Sequence, residues 1–186
     1  MNKAVFIDRD GTLIRDIPYN VNPELITPEY YAAEMLQLLK SKHYLLILIS
    51  NQPGIAKGFF SQEDLYKMHA GLRRKLNIHF DGIYYCPHLL NGVMEDYAID
   101  CDCHKPRPGL LLKAAKEFNI DTHRSWMIGD ILNDVEAGNR AGCKTILIDN
   151  GNETEWMVNA ERIPHHMVMN LKEATETILQ DELEAV

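Results

Sequence analysis

The sequence predicts an α/β fold with a mainly parallel sheet, because short apolar runs alternate with segments of helical spacing. The apolar runs lack the polar alternation of half-exposed strands, which is typical of strands buried on both faces. Helical segments lie between the runs and would cover both faces of a doubly wound, Rossmann-like sheet. A length of 186 residues fits one domain, so we expect residues 1–186 to form a single unit.

The strands are predicted from short apolar runs that are rich in β-branched or aromatic residues. They are Ala4–Ile7, Leu45–Ser50, Gly82–Cys86, Trp126–Asp130 and Lys144–Ile148, with one more short strand beginning near His165 and His166.

The helices are predicted from capping residues followed by apolar spacing of three and four. Thr27 resembles an N-cap with Pro28 in the first helical position, and Ser61 precedes two acidic residues of a first turn. The helix after Ser61 would bury Leu65, Met68 and Leu72. The later helices are predicted at Gly109–Phe118, Asn133–Ala141 and from about Leu171.

The charge composition argues against two classes of partner. With 19 basic and 27 acidic residues the net charge is −8, which does not favour binding to nucleic acid or to an anionic membrane. No segment approaches the roughly 20 apolar residues of a membrane span, so we expect a cytoplasmic protein. The composition predicts no particular oligomeric state.

Two carboxylates, Asp8 and Asp10, follow the first strand in the stretch AVFIDRDGT. Alternate side chains of an extended segment share one face, so these carboxylates would repel each other. The next strand ends at Ser50 and Asn51, and the fourth ends at Asp130. A turn would explain Asp-x-Asp-Gly alone, but the other strand ends favour a Mg²⁺ site formed by the carboxylates of Asp8 and Asp130 and the carbonyl oxygen of Asp10.

A second group of residues has the spacing of a metal site. Cys86 and His88 are separated by one residue, as are Cys101 and Cys103, and three thiols with one imidazole suit a closed, structural Zn²⁺ site. A disulfide and inert buried thiols are the alternatives, and a reducing compartment disfavours the first. Cys143 is left over and is expected to be a packed core residue.

Four motifs in order resemble those of the haloacid dehalogenase superfamily of phosphatases. They are DRDGT at Asp8–Thr12, the strand ending at Ser50, Lys105, and GDILND at Gly129–Asp134. The resemblance implies that Asp8 is the nucleophile, that Asp10 is the general acid and base, and that Ser50 and Lys105 hold the phosphoryl oxygens. Asp134 would support Lys105 or the metal. The intervals between the motifs leave no room for a cap domain, so we expect a capless enzyme.

The cysteine loop, about residues 86–105, indicates which family of the superfamily the sequence resembles most. CPH, the twelve-residue interval, CDC and KPRPG are similar to D,D-heptose 1,7-bisphosphate phosphatases, and histidinol-phosphate phosphatases are the next most similar family. The first family implies a sugar phosphate substrate whose 7-phosphate is removed. It also implies substrate contacts, which would come from Asp16, Tyr19, Asn51, Gln52 and His104. The chain departs from this family at Pro53, where serine is common, and at His104, where arginine is common.

A phospho-accepting signalling domain is the non-enzyme alternative, because it also places an aspartate and Mg²⁺ at strand ends. Asp10 argues against this alternative, since a built-in acid and base would promote turnover of the acyl phosphate. A nucleic-acid module is disfavoured because the cysteine loop has few basic residues and no aromatic series.

Overall fold

The computed structural model describes residues 1–184, in which six strands form one parallel sheet. The strands are β1 (Ala4–Ile7), β2 (Leu45–Asn51), β3 (Gly82–Cys86), β4 (Trp126–Gly129), β5 (Lys144–Ile148) and β6 (His166–Val168). Their order across the sheet is β3-β2-β1-β4-β5-β6, and each neighbouring pair is parallel. The predicted strands and the parallel α/β class are confirmed.

Helices cover both faces of the sheet. They are α1 (Ala32–Ser41), α2 (Gln62–Leu76), α3 (Gly109–Glu117), α4 (Leu132–Ala141) and α5 (Leu171–Glu184). Successive residues of β1 point to opposite faces, so Val5 and Ile7 pack with α1, α2 and α5, whereas Ala4 and Phe6 pack with α3 and α4. The sheet is therefore buried between two hydrophobic layers, as its continuously apolar strands predict.

The predicted start of the first helix is wrong. Residues 27–29 are extended rather than helical, because the Arg15 N–H donates to the Thr27 carbonyl and the Glu29 N–H donates to the Leu13 carbonyl, both at 2.9 Å. The helix begins at Ala32, after Tyr31, which has a left-handed φ of 66°. Pairing with residues 13–15 thus overrides the local capping pattern of Thr27 and Pro28.

The start of α2 is confirmed. The Ser61 side chain accepts a hydrogen bond from the Asp64 N–H, and the Asp64 carboxylate accepts one from the Ser61 N–H, which forms a reciprocal capping box. Leu65, Met68 and Leu72 are fully buried, as predicted.

The connections between the strands consist of helices and loops. Within residues 1–184, α1 lies between β1 and β2 and α2 lies between β2 and β3, with no inserted cap. The loop 87–108 connects β3 to α3, and its only helical turn among the described residues is Glu95–Tyr97. No helix in residues 1–184 combines the length and the apolar character that crossing a membrane requires.

Gly138 marks the closest approach of α4 to the sheet. A Cβ at this position would lie 2.6 Å from Thr145 Cγ2 and 2.7 Å from Met127 Cβ, both in strands. We expect Gly138→Ala to destabilise the protein by about 1–3 kcal/mol through overpacking, although alanine favours helix by ~1 kcal/mol. Urea unfolding measures this change. Gln37→Ala on the exposed side of α1 is the control, and a Gly138→Ala variant as stable as the parent would contradict the prediction.

Candidate active site

The site lies where the strand order reverses. β1 and β4 are neighbours in the sheet, and their crossovers run to opposite sides, so a crevice opens beyond their carboxyl ends. Asp8 directly follows β1, Asp130 directly follows β4, and Ser50 lies near the end of β2. The three predicted strand ends therefore meet at one edge.

A buried ammonium lies between two buried carboxylates at this edge. Lys105 Nζ is 2.5 Å from Asp8 Oδ1 and also contacts the Asp134 carboxylate, which lies in the first turn of α4. The exposed fractions are 2% for Lys105, 6% for Asp8 and 1% for Asp134, so the charges compensate one another with little help from solvent.

The surroundings shift the proton affinities of this group in opposite directions. Burial raises the pKa of Asp8 well above its ordinary value, against the attraction of Lys105, and Asp134 and Asp130 raise it further. Burial alone would lower the pKa of Lys105, but the Asp134 and Asp8 carboxylates outweigh burial and raise it. Burial and the Asp134 charge raise the pKa of Asp130 to about 7. The site thus holds more negative charge than its single ammonium can neutralise.

Three carboxylates are placed to share a cation. Oxygen atoms of Asp8, Asp130 and Asp134 all lie within 4.8 Å of one another. Asp130 is oriented by Thr12 Oγ1 at 3.3 Å and by the Asn152 amide at 2.7 Å. Gly11, at φ +82°, lets the backbone pass Asp130, because a Cβ there would lie 2.0 Å from Asp130 Oδ2. This set of hard oxygen donors fits Mg²⁺.

Asp10 is held at the mouth of the site rather than in the carboxylate cluster. The buried Arg9 donates to both of its oxygens, at 2.9 and 2.7 Å, and the Gln52 amide donates to Oδ2 at 3.1 Å. The same Gln52 amide nitrogen also donates to Ser50 Oγ at 2.6 Å. Gln52 therefore links the Asp10 carboxylate to the Ser50 hydroxyl.

Asn51 holds the backbone of Lys105 on both sides of the residue. Its side-chain amide donates to the Lys105 carbonyl at 3.0 Å, and its side-chain oxygen accepts from the Lys105 N–H at 3.0 Å. The end of β2 thus fixes the loop that delivers the ammonium.

Two adjoining cavities contain the predicted residues. The inner cavity, about 220 Å³, is lined by Asp8, Asp10, Asp16, Ser50, Asn51, Lys105, Asp130, Ile131 and Asn152. The outer cavity, about 260 Å³, is lined by Arg9, Asp10, Asp16, Pro18, Tyr19, Asn51, Gln52, Pro53 and Gly54. Larger cavities exist elsewhere, but the inner cavity is lined by Asp8, Asp130 and the buried Lys105 together.

The cysteine loop forms the predicted thiol cluster. Ligand atoms of Cys86, His88, Cys101 and Cys103 lie within 4.8 Å of one another, and the three sulfurs are 2.9–3.5 Å apart. Hydrogen bonds in the cluster, that with Cys86 first, lower the pKa of Cys103 to about 5, which favours the thiolate that binds metals. All four cysteines are free of disulfides, and Cys143 is buried in the core. Three thiols and one imidazole could therefore hold a metal ion.

The structure does not bring His104 to the two cavities around Asp10. Its ring lies beside the thiol cluster, where Nδ1–H donates to the His88 carbonyl at 3.0 Å. It lines another cavity with Leu90 and Arg107. A role for His104 in substrate binding stays a prediction.

Two residues of the site were not predicted from the sequence. The sequence shows that Arg9 lies between Asp8 and Asp10. Only the structure shows that its side chain folds back onto the Asp10 carboxylate. Asn152 follows Asp130 by 22 residues in an irregular loop, and no spacing pattern connects it with that carboxylate.

Comparisons with known proteins indicate which family the chain belongs to. The HAD-hydrolase-like family model matches residues 102–174. A D-glycero-beta-D-manno-heptose-1,7-bisphosphate 7-phosphatase of Pasteurella multocida is 44% identical over 155 residues, with coverage of 81% of this chain and 84% of the relative. An enzyme of the same name from Photorhabdus laumondii is 35% identical over 181 residues, with coverage of 94% of both chains.

The chain belongs to the heptose bisphosphate phosphatase family. A crystal structure of a D,D-heptose 1,7-bisphosphate phosphatase from B. bronchiseptica, complexed with magnesium and phosphate, has a TM-score of 0.82 and 26% identity, covering 96% of this chain and 99% of that one. The protein is accordingly a phosphatase of the haloacid dehalogenase type, as the sequence motifs imply.

We expect the metal-free protein to become more stable when the buried charge of Asp130 is removed. The ordinary pKa of Asp130 is 3.8 and its folded value is about 7, so ionising it opposes folding. That penalty is complete above pH 7 and disappears as pH falls toward 4. Asp130→Asn should therefore raise the free energy of unfolding by about 1–2 kcal/mol at pH 8 in a metal chelator, and by less at pH 5.

Urea unfolding across this pH range measures the effect, and Asp96→Asn, on the exposed surface, is the matched control. A variant that is less stable than the parent at pH 8 would contradict the account of the buried charge.

Proposed function

We propose that the protein hydrolyses the 7-phosphate of D-glycero-beta-D-manno-heptose 1,7-bisphosphate. The observation that carries this proposal is the inner cavity, where Asp8 is paired with Lys105 beside Asp130. Relatives at 35–44% identity bear the name of this activity and support the choice of substrate.

The reaction takes place in two displacements at phosphorus. An Asp8 carboxylate oxygen attacks the 7-phosphoryl group, the bond from phosphorus to the ester oxygen breaks, and Asp10 gives its proton to the leaving sugar oxygen. Asp10 then accepts a proton from water, whose oxygen attacks phosphorus and releases Asp8 and inorganic phosphate. Ser50 and Lys105 hold the remaining phosphoryl oxygens, where negative charge accumulates.

The residues of the inner cavity fit Mg²⁺, held by the carboxylates of Asp8 and Asp130 and the carbonyl oxygen of Asp10. When bound, the ion neutralises the repulsion between these carboxylates and the phosphate. Asp134, the third carboxylate of the cluster, would support the site through Lys105, which it contacts directly, rather than as a ligand of the ion.

We infer that the thiol cluster binds Zn²⁺ and that the ion is structural, since four protein ligands fill a tetrahedral shell. The ion would fasten the loop 87–108, which carries Lys105. We also propose that the protein acts in the cytoplasm, where reducing conditions would keep these thiols free to bind the ion, and that one chain forms a complete catalytic unit.

A substrate panel tests the function. Wild-type protein with Mg²⁺ should release phosphate faster from the β-anomer of the heptose bisphosphate than from the α-anomer or from histidinol phosphate. A preference for histidinol phosphate would refute the proposed substrate assignment.

In the same assay we expect Asp8→Asn to lower kcat by about 10³-fold or more, because an amide cannot act as the nucleophile. Asp96→Asn removes an exposed carboxylate and should leave the rate unchanged. Near-normal turnover by a folded Asp8→Asn variant would refute the covalent mechanism.

Metal analysis should find one zinc ion per chain after purification, bound through the thiol cluster. Removing it with a chelator should lower Tm and expose the loop 87–108 to proteolysis, and Zn²⁺ rather than Mg²⁺ should restore both. Cys103→Ser should lose the zinc, whereas Cys143→Ala should keep it. A Cys103→Ser variant that retains its full zinc content would rule out this ligand set.

A further inference from the structure

Lys57 is a cation beside Tyr19, a residue that lines the outer cavity, and none of the described carboxylates neutralises its charge. Its ammonium contacts the Tyr19 hydroxyl and lies 4.7 Å from the centre of the Tyr19 ring and 5.9 Å from that of Phe59. Within residues 1–184 it takes part in no ion pair, although Lys67, Lys105 and other lysines do.

Several other cations around the site are already paired with carboxylates. Arg9 is forked onto Asp10, Lys105 is held by two carboxylates, and Arg107 is paired with Asp100. Arg140 is paired with two glutamates. An additional anion that reached the outer cavity would therefore meet an uncompensated positive charge at Lys57.

The position of Lys57 is fixed by residues that line the outer cavity. Its N–H donates to the Pro53 carbonyl at 3.0 Å, and its ammonium rests on Tyr19. Tyr19 packs edge-on against Phe59, with ring centres 4.8 Å apart, and has a left-handed φ of 57°. The aromatic platform of Tyr19 and Phe59 therefore holds the Lys57 ammonium at a defined position beside the outer cavity.

The charge distribution of the outer cavity favours one orientation of a doubly phosphorylated ligand. Asp10 and Asp16 line both cavities. These carboxylates would repel a second phosphate in the middle of the site. The Tyr19 and Lys57 end of the outer cavity offers an ammonium and a hydroxyl instead, both of which bind phosphate oxygens.

We propose that Lys57, supported by Tyr19, binds the phosphate that is not hydrolysed and thereby selects sugar bisphosphates over monophosphates. This inference rests on the proposed function, since it takes the reacting phosphate to be in the inner cavity. Lys57 is then a specificity residue that makes no contact with the reacting phosphorus.

Steady-state kinetics on two substrates tests the proposal. D-glycero-beta-D-manno-heptose 1,7-bisphosphate carries both phosphates, and D-glycero-D-manno-heptose 7-phosphate carries only the reacting one. Lys57→Met keeps the aliphatic packing on Tyr19 and removes the charge. We expect it to raise KM for the bisphosphate about 10- to 100-fold with kcat nearly unchanged, and to leave both constants for the monophosphate within about twofold.

Lys57→Arg should restore most of the preference for the bisphosphate, and Lys67→Met, which removes an exposed lysine of α2, should behave like the wild type. Equal effects of Lys57→Met on the two substrates, or no effect on either, would overturn the proposal while leaving the proposed function intact. Wild-type protein that hydrolyses neither substrate would overturn both, and an unchanged Tm of Lys57→Met excludes misfolding as the cause of its effects.

Discussion

The site depends on the burial of one ammonium group between two carboxylates. Lys105 loses its hydration on folding. Asp8 and Asp134, together with the Ile49 carbonyl, compensate that loss. Removal of one partner of such a group typically costs about 3–5 kcal/mol, because a buried charge is left alone. The end of β1, the loop before α3 and the first turn of α4 are therefore required to meet at one point. The parallel sheet provides that point at the crossover between β1 and β4.

One ammonium does not neutralise all the negative charge of the site. The excess negative charge is what allows the site to bind a cation. Three carboxylates face one ammonium, and burial raises the pKa of both Asp8 and Asp130. Their repulsion opposes folding of the metal-free chain, but it is the feature that attracts a divalent cation. Such a trade of stability for function is common at active sites. The same excess charge would repel a phosphate from Asp8, so the proposed function requires a cation at this site.

The sequence predicts what local patterns determine and misses what distant segments determine. Continuous apolar runs predict the strands, and the Ser61 capping box predicts the start of α2, because both are local in the chain. The start of α1 was predicted at Thr27 and Pro28, but hydrogen bonds to residues 13–15 make that segment extended. The partners of Asp10 and Asp130 were likewise not predicted, since Arg9 must fold back and Asn152 must arrive from an irregular loop. Motif spacing predicts which carboxylates meet, but not what orients them.

The loop 87–108 explains how a capless phosphatase positions a lysine that belongs to neither a helix nor a strand. Cys103 lies two residues before Lys105, and a residue spans at most about 3.5 Å, so the thiol cluster limits where the backbone of Lys105 can lie. Asn51 holds the backbone of Lys105 from β2, and the cluster holds the loop from its other side. A metal at the thiol cluster would therefore influence phosphoryl transfer without contacting substrate, because a small displacement of Lys105 would separate it from Asp8 and Asp134 and leave three charges buried without partners.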